Sequence, residues 1–227
     1  MRFTLMHALG NVLLGMAVGI ACYYLVTDVV ATLRQRALEG SASGVLSSAD
    51  PSSSLDTVEA DPFDFTDWEA QDQVYWNGLA AGEVFGRLVI NRMELDTLVV
   101  KGHSRETLKK GPGWIDYTDL PGATGNVGIS GHRTTYGAPF RRLDELVPGD
   151  TIDLYSPYRR YRYEVTRVFA VRPDQVEVVA STLEPQLTLT ACHPPYSAAQ
   201  RLIAQAALVE VRRVDEMKGV LTGKAPD

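Results

Sequence analysis

Gln186-Leu187-Thr188-Leu189-Thr190-Ala191-Cys192 reads as a β-strand, because aliphatic and β-branched residues in a short run bounded by turn residues favour extended backbone. The run ends on one of the two cysteines in the chain. A second extended run, 126–130, leads through Gly131 to His132, and a third, 201–212, opens on Arg201 after a loop from His193 to Gln200. Further out, similar runs fall at 85–90, 97–100, 151–155, 161–171 and 175–179. Breaks stand between them at Gly111-Pro112-Gly113, Pro121-Gly122, Pro148-Gly149-Asp150 and Pro194-Pro195. Residues 104–110 and 140–147 are the candidate short helices, the first capped by Ser104 with Leu108 turned inward. About eight closely spaced strands and few helices predict a mainly β domain at 83–213, closed or nearly closed into a barrel.

Ahead of this domain the pattern changes. Residues 8–26 are apolar apart from Asn11, a run long enough to cross a bilayer as a helix. We read 1–7 as a cytoplasmic N-terminus and 8–30 as a transmembrane anchor. A cleaved signal peptide is the alternative, disfavoured by the length of the run and the lack of an A-x-A site after it. Lipidation at Cys22 is disfavoured by Gly19. Residues 31–82 read as a flexible acidic tether, Ser-rich at first and then carrying Phe63, Phe65 and Trp68, which gives this segment groups able to dock on the domain. Residues 214–227 read as a polar tail. The ten acids from Glu39 to Glu83 outnumber the whole formal charge of -6. The domain itself is therefore mildly basic, and no block of Lys and Arg suggests nucleic acid.

Cys22 falls inside the apolar run, so Cys192 has no partner for an intramolecular disulfide. A lone thiol outside the cytoplasm points to a reactive role. A cysteine nucleophile needs a cation beside it to favour its thiolate and a donor for the oxyanion formed as the carbonyl turns tetrahedral. His132 and Arg201 are the candidates for these tasks. His193 and His103 are rivals to His132, but adjacency in a strand puts His193 on the face opposite Cys192. Metal-ligand spacing is absent, so neither metal nor organic cofactor is expected.

Thr188 to Pro194 (TLTACHP), Ser197 to Ile203 (SAAQRLI) and Gly131 to Phe140 (GHRTTYGAPF) together resemble the sortases, and most of all their class E branch. The resemblance implies an eight-stranded sortase β-barrel behind an N-terminal membrane helix, with the catalytic domain outside a single-pass membrane anchor. It implies His132, Cys192 and Arg201 as the catalytic residues. It also implies cleavage between Thr and Gly of a Leu-Pro-x-Thr-Gly or Leu-Ala-x-Thr-Gly signal near the C-terminus of a secreted protein, with transfer to an amine of a cell-wall precursor or a pilin lysine. Thr190 and Ala191 are expected to line the peptide groove. Class E relatives carry a Gly-His-Tyr run where this chain has Gly113-Trp114-Ile115-Asp116-Tyr117, so Tyr117 is the candidate for recognising the second motif residue. Asp61-Pro62-Phe63 resembles the lid of pilin-polymerising sortases, which makes Asp61 and Phe63, within 61–65, candidate lid residues over Arg201 and Cys192.

Two other classes of function share some of these features. An L,D-transpeptidase would use the same compartment and thioester chemistry, but its Ser-His-Gly-Cys type of motif is absent. A non-catalytic, membrane-tethered β-barrel would bind a partner and hold Cys192 inert.

Overall fold

The computed structural model describes residues 2–42 and 62–214. Its centre is a closed barrel of eight strands. These are β1 (Val84–Ile90), β2 (Leu95–Lys101), β3 (Gly113–Trp114), β4 (Asn126–Ser130), β5 (Thr151–Tyr155), β6 (Arg159–Val171), β7 (Gln186–His193) and β8 (Gln200–Arg213). Around the wall they run β1-β2-β3-β4-β7-β8-β6-β5. Most neighbours are antiparallel, but β2 with β3 and β4 with β7 are parallel. Alternate side chains fill the interior, among them Phe85, Leu88, Ile90, Val127, Ile129, Leu187, Leu189, Ala204 and Ala206.

The strand count agrees with the sequence reading through two offsetting differences. Residues 175–179, expected as a strand, form a 3₁₀ turn at Val176–Val179, held by side-chain amides of Asn126 and Gln205 that donate to the Val178 carbonyl. The two-residue β3 lies where glycine and proline had suggested only a turn. A methyl at Gly113 would stand 2.1 Å from the Gly102 carbonyl oxygen, and that close approach lets the short strand form. The helix expected at 104–110 shortens to Arg105–Leu108, its Ser104 hydroxyl accepting from the Thr107 amide. Thr107, not Leu108, is its buried residue. Residues 140–147 supply only the 3₁₀ turn Leu143–Glu145.

The stretch 31–82 is not one tether. Its first part continues α1 (Arg2–Glu39), the N-terminal helix, whose segment Leu9–Glu39 is long and apolar enough to cross a membrane. From residue 62 the chain packs on the barrel, through a π-helical turn at Glu69–Gln73 and α2 (Val74–Gly78). Trp76, 1% exposed, stacks on Phe85 at 5.2 Å between ring centroids and donates its indole N–H to the Phe85 carbonyl at 2.8 Å. Trp68 donates to the Pro121 carbonyl at 3.0 Å. The buried Arg159 guanidinium gathers the Asp72 carboxylate, the Gln71 side-chain oxygen and the carbonyls of Asp64 and Thr66. A charge this deep is tolerated only with such partners, so one of the acids that made the segment look solvated, Asp72, helps to fasten it down.

Phe63 takes part in the same seam. It bridges to Val211, and the amides of Asp64 and Val211 bond to the carbonyls of Val211 and Pro62. That is ten residues along β8 from Arg201, toward the other end of the barrel. Phe63 therefore does not cover Cys192, and the lid expectation is corrected for it by main-chain pairing that holds the ring elsewhere. Asp61 lies outside the described residues, as does the tail beyond Val214.

If residues 62–79 are part of the fold, Trp76→Ala should destabilise the protein by about 3–5 kcal/mol, the usual cost of an aromatic core truncation. Denaturant unfolding checks this, and a tether would give a change near zero.

Candidate active site

The parallel ladder between β4 and β7 sets the site. It pairs Asn126 with Gln186, Gly128 with Thr188, and Ser130 with Thr190. The Gly131 amide extends it by donating to the Thr190 carbonyl at 3.0 Å. Because the strands run the same way in register, one further strand period delivers His132 and Cys192 to the same rim. β8 runs antiparallel to β7 and pairs Arg201 directly with Cys192.

Alternation then decides which way these side chains face. Val127 and Ile129 of β4, Leu187, Leu189 and Ala191 of β7, and Leu202, Ala204 and Ala206 of β8 all belong to the core. Their neighbours Ser130, Thr190, Cys192 and Arg201 therefore lie on the outer face of the wall, and His132 continues the same parity. Thr190 stands two residues before Cys192 on this face. Ala191 is buried with its methyl in the core, so as a groove-lining side chain it is corrected; only its backbone can meet a peptide. The outer face is walled by the Val176–Val179 turn. Asn126 donates to the carbonyls of Val178 and Ala180, both at 3.1 Å, and accepts from the Thr188 hydroxyl at 2.8 Å.

His132 is half-buried, and burial holds its imidazole below the usual histidine pKa. Its Nε2 is buried and has no hydrogen-bond partner among the described residues. The ring packs 5.1 Å from that of Tyr136. Gly131 cannot be larger, because a Cβ there would stand 2.6 Å from the Phe140 ring, and Phe140 in turn donates its amide to the His132 carbonyl at 3.0 Å. Cys192 is half-buried and a free thiol. Arg201 donates from Nη1 to the carbonyls of Ala198 and Gln200 at 3.2 and 3.1 Å. Among the described residues no carboxylate pairs with it.

Behind these residues lies a contact that sequence reasoning missed. Arg133, 3% exposed, joins the residue after His132 to the residue after Cys192: its Nη1 is 2.7 Å from Nδ1 of His193, and its Nη2 is 2.8 Å from Asp144. A guanidinium can only donate, so the His193 Nδ1 accepts and that ring keeps its proton on Nε2. The same contact occupies His193 as a rival base. The signal in the sequence was the pair of dipeptides His132-Arg133 and Cys192-His193, each putting a polar residue on the reverse face.

Tyr117 is not drawn into this group. It is exposed, with its ring edge-on to His103 at 5.4 Å, and His103 pairs with Asp116 at 3.0 Å. Among the described residues no three His, Cys, Asp or Glu side chains cluster as a metal site would require.

The barrel that carries these side chains is the architecture that comparison with known proteins also returns. A sortase domain family model matches residues 88–209, more than half of the chain. The chain belongs to the sortase family. It is 32% identical over 114 residues to Sortase D of Bacillus subtilis, covering 50% of this chain and 56% of that protein. It is 31% identical over 175 residues to Sortase SrtE2 of Streptomyces coelicolor, covering 66% of this chain and 67% of that protein. Among solved structures, Sortase E1 of Streptomyces coelicolor with a tripeptide in its active site superposes with TM-score 0.57 at 27% identity, over 60% of this chain and 93% of that one. Sortase E of Streptomyces avermitilis gives 0.54 at 31%, over 61% and 95%. This sortase thus shares the barrel with class E structures, while its match spans little more than half of the Bacillus subtilis protein.

Two outcomes follow from the site geometry. Burial lowers the His132 pKa in the folded state, so the unfolded chain binds that proton more readily, and stability contributed by neutral His132 is lost as pH falls through and below about 6.5. Between pH 7.5 and 5.5 the melting temperature of the parent should therefore drop further than that of His132→Gln, measured by calorimetry. Arg133→Met should fold, because Asp144 is exposed enough to be solvated. It should nevertheless lower turnover by roughly ten- to a hundredfold, as misplacement of paired catalytic groups does, with Cys192→Ala as the inactive reference.

Proposed function

We propose that this sortase is a membrane-anchored cysteine transpeptidase whose nucleophile is Cys192, with His132 as the proton carrier and Arg201 as the donor to the developing oxyanion. The observation that carries the reading is the register of β4, β7 and β8, which sets these three residues on one outer face at one rim. Family membership supports the reaction class. The tripeptide in the active site of the similar Streptomyces coelicolor enzyme supports a peptide as substrate.

The chemistry runs on one mobile proton. Burial lowers the basicity of the His132 imidazole, which rests neutral and able to take a proton. When a peptide covers the groove and excludes water, the thiol proton passes to His132, and the thiolate attacks the carbonyl carbon of the substrate threonine. Arg201, beside Cys192 in the ladder, presents N–H donors where the carbonyl oxygen becomes an anion. The bond from carbon to the glycine nitrogen breaks as His132 returns its proton to that nitrogen, leaving a thioester on Cys192. An incoming amine attacks the thioester and gives its proton to His132. The thiolate leaves, and the resting proton count is restored.

The substrate is a secreted protein with a C-terminal sorting signal of the Leu-Pro-x-Thr-Gly or Leu-Ala-x-Thr-Gly type, and the acceptor is an amine of the cell wall or a pilin. Thr190 on the outer face and the wall made by the Val176–Val179 turn would flank the peptide. Tyr117 enters recognition only by movement of the exposed loop that carries it. The apolar part of α1 is the anchor, with the barrel outside the membrane.

The test is to incubate the protein with Pro- and Ala-containing sorting peptides and an amine, and to identify the products by mass. Cleavage between Thr and Gly and an amine-capped product are expected, with activity abolished in Cys192→Ala and reduced by about a hundredfold or more in Arg201→Ala, the scale of losing an oxyanion donor. Cleavage of neither peptide, or turnover by Cys192→Ala, contradicts the reading.

A further inference from the structure

The helix α1 does more than precede the barrel. Four of its residues spaced as one helical face, Tyr24, Asp28, Ala31 and Gln35, touch the domain in order. The Tyr24 ring meets the Tyr196 ring edge-on, 6.0 Å between centroids, and Tyr196 belongs to the loop between Cys192 and Arg201. Asp28 accepts the Gly137 amide at 3.2 Å, in the loop that follows His132. Ala31 is buried, and a Cβ at Gly137 would lie only 3.3 Å from its methyl. Gln35 bonds both backbone groups of Leu98, accepting from its amide at 3.0 Å and donating to its carbonyl at 3.2 Å, and also donates to the Lys110 carbonyl at 2.7 Å. Leu38 and Ala42 then pack against Val84, Val89, Leu98 and Tyr155.

The helix residues nearest the apolar run, Tyr24 and Asp28, touch the loops of the catalytic rim, and Gln35 touches β2 and the segment before β3 further round the wall. Tyr24 lies two residues before Val26, where the apolar run 8–26 ends, so its backbone stands about 3 Å inside that end at 1.5 Å per residue. A run of 19 residues spans about 29 Å, close to the hydrocarbon thickness of a bilayer. Tyr24 therefore sits at the outer boundary of the hydrocarbon, and Tyr196, in ring contact with it, sits in or at the edge of a headgroup layer about 5–8 Å deep. Tyr196 is 78% exposed and follows two exposed prolines, while Tyr23 is exposed beside Tyr24. Tyrosine, apolar in its ring and polar at its tip, is the residue type that prefers this zone.

We propose that Pro194, Pro195 and Tyr196, with Tyr23 and Tyr24, form a lipid-contacting surface that seats the catalytic rim in the headgroup layer, so that the groove opens at the membrane surface. This rests on the reading of α1 as an anchor. The partner is the phospholipid surface of the membrane that α1 crosses. The consequence is a substrate presented at the bilayer boundary and not from bulk solvent. The far rim, carrying Leu183 at 90% exposure in the loop before β7, would then stand about 20 Å higher, the rise of an eight-residue strand at barrel tilt.

The experiment uses the full chain with Cys22→Ser and Cys192→Ala, and single cysteines introduced as Tyr196→Cys, Leu183→Cys or Val18→Cys. Each is labelled in detergent with the fluorophore NBD and reconstituted into phosphatidylcholine–phosphatidylglycerol vesicles, with or without lipid bearing a nitroxide quencher, placed at the headgroup for positions 183, 195 and 196 and deep in the acyl chain for position 18. The label at position 18 should be quenched, that at 196 should lose at least half its intensity, and that at 183 should be unchanged. Quenching at 18 with 196 no different from 183 overturns the seating while leaving the anchor intact. Equal quenching at 196 and 183 also overturns it, since the barrel would then lie on its side. No quenching at 18 removes the anchor reading itself and the seating with it. A Pro195→Cys label should repeat the result at 196, which guards against a local effect of losing the Tyr196 ring.

Discussion

Everything chemical in this molecule depends on two strands running the same way. Parallel pairing of β4 with β7 is less usual in a barrel whose other long ladders are antiparallel, and it has one geometric effect: residues at equal distance beyond the pair Ser130 and Thr190 emerge at one rim. An antiparallel pairing would send His132 and Cys192 to opposite ends. The adjacent antiparallel ladder then returns the chain so that Arg201 faces Cys192 across it. His132, sixty residues before Cys192, and Arg201, nine after it, are thereby placed by main-chain hydrogen bonds, with the alternation of the strands choosing the outer face for all three.

Around that constraint the structure arranges support on both sides. On the outer face, Asn126, Thr188 and Gln205 use their polar atoms to hold the Val176–Val179 turn as a wall. On the reverse side, Arg133 holds His193 and Asp144, tying the backbone immediately after the histidine to that immediately after the cysteine. Among the described residues the buried Nε2 of His132 has no partner, a cost of about 1–3 kcal/mol for a desolvated polar atom. An arriving thiol proton or substrate would satisfy it. Burial also lowers the basicity of the imidazole.

Much of this was legible in the sequence because strand runs, turn residues and the rarity of cysteine are local signals. The runs ending at Ser130 and Ala191 and the one beginning near Arg201 were readable by pattern, and so was the apolar helix. What could not be read were the features set by contacts between distant segments. The aromatics of 62–79 marked the segment as able to dock, but its acids read as solvating tether and the docking place was hidden, because the partner Arg159 is about 90 residues away. Phe63 resembled a lid by its neighbours in sequence, whereas its position is set by pairing with Val211. The strand at 175–179 was lost to side-chain amides from β4 and β8 that no local pattern records. Ala191 shows the limit from the other side: its place next to Cys192 suggested the groove, and the two-residue period of the strand turns it into the core.

The central claim is that Cys192, His132 and Arg201 act together on a peptide bound to the outer face of β4, β7 and β8. It is tested most directly by a crystal structure of the protein after reaction with a sorting peptide in which a thiol-reactive group replaces the threonine carboxamide. The account predicts a covalent bond to Sγ of Cys192, the peptide running over Thr190 beneath the Val176–Val179 turn, and an Arg201 nitrogen within hydrogen-bond distance, about 3 Å, of the oxygen that stands for the oxyanion. A peptide attached elsewhere, or one attached at Cys192 with both His132 and Arg201 turned away from it, would contradict the account.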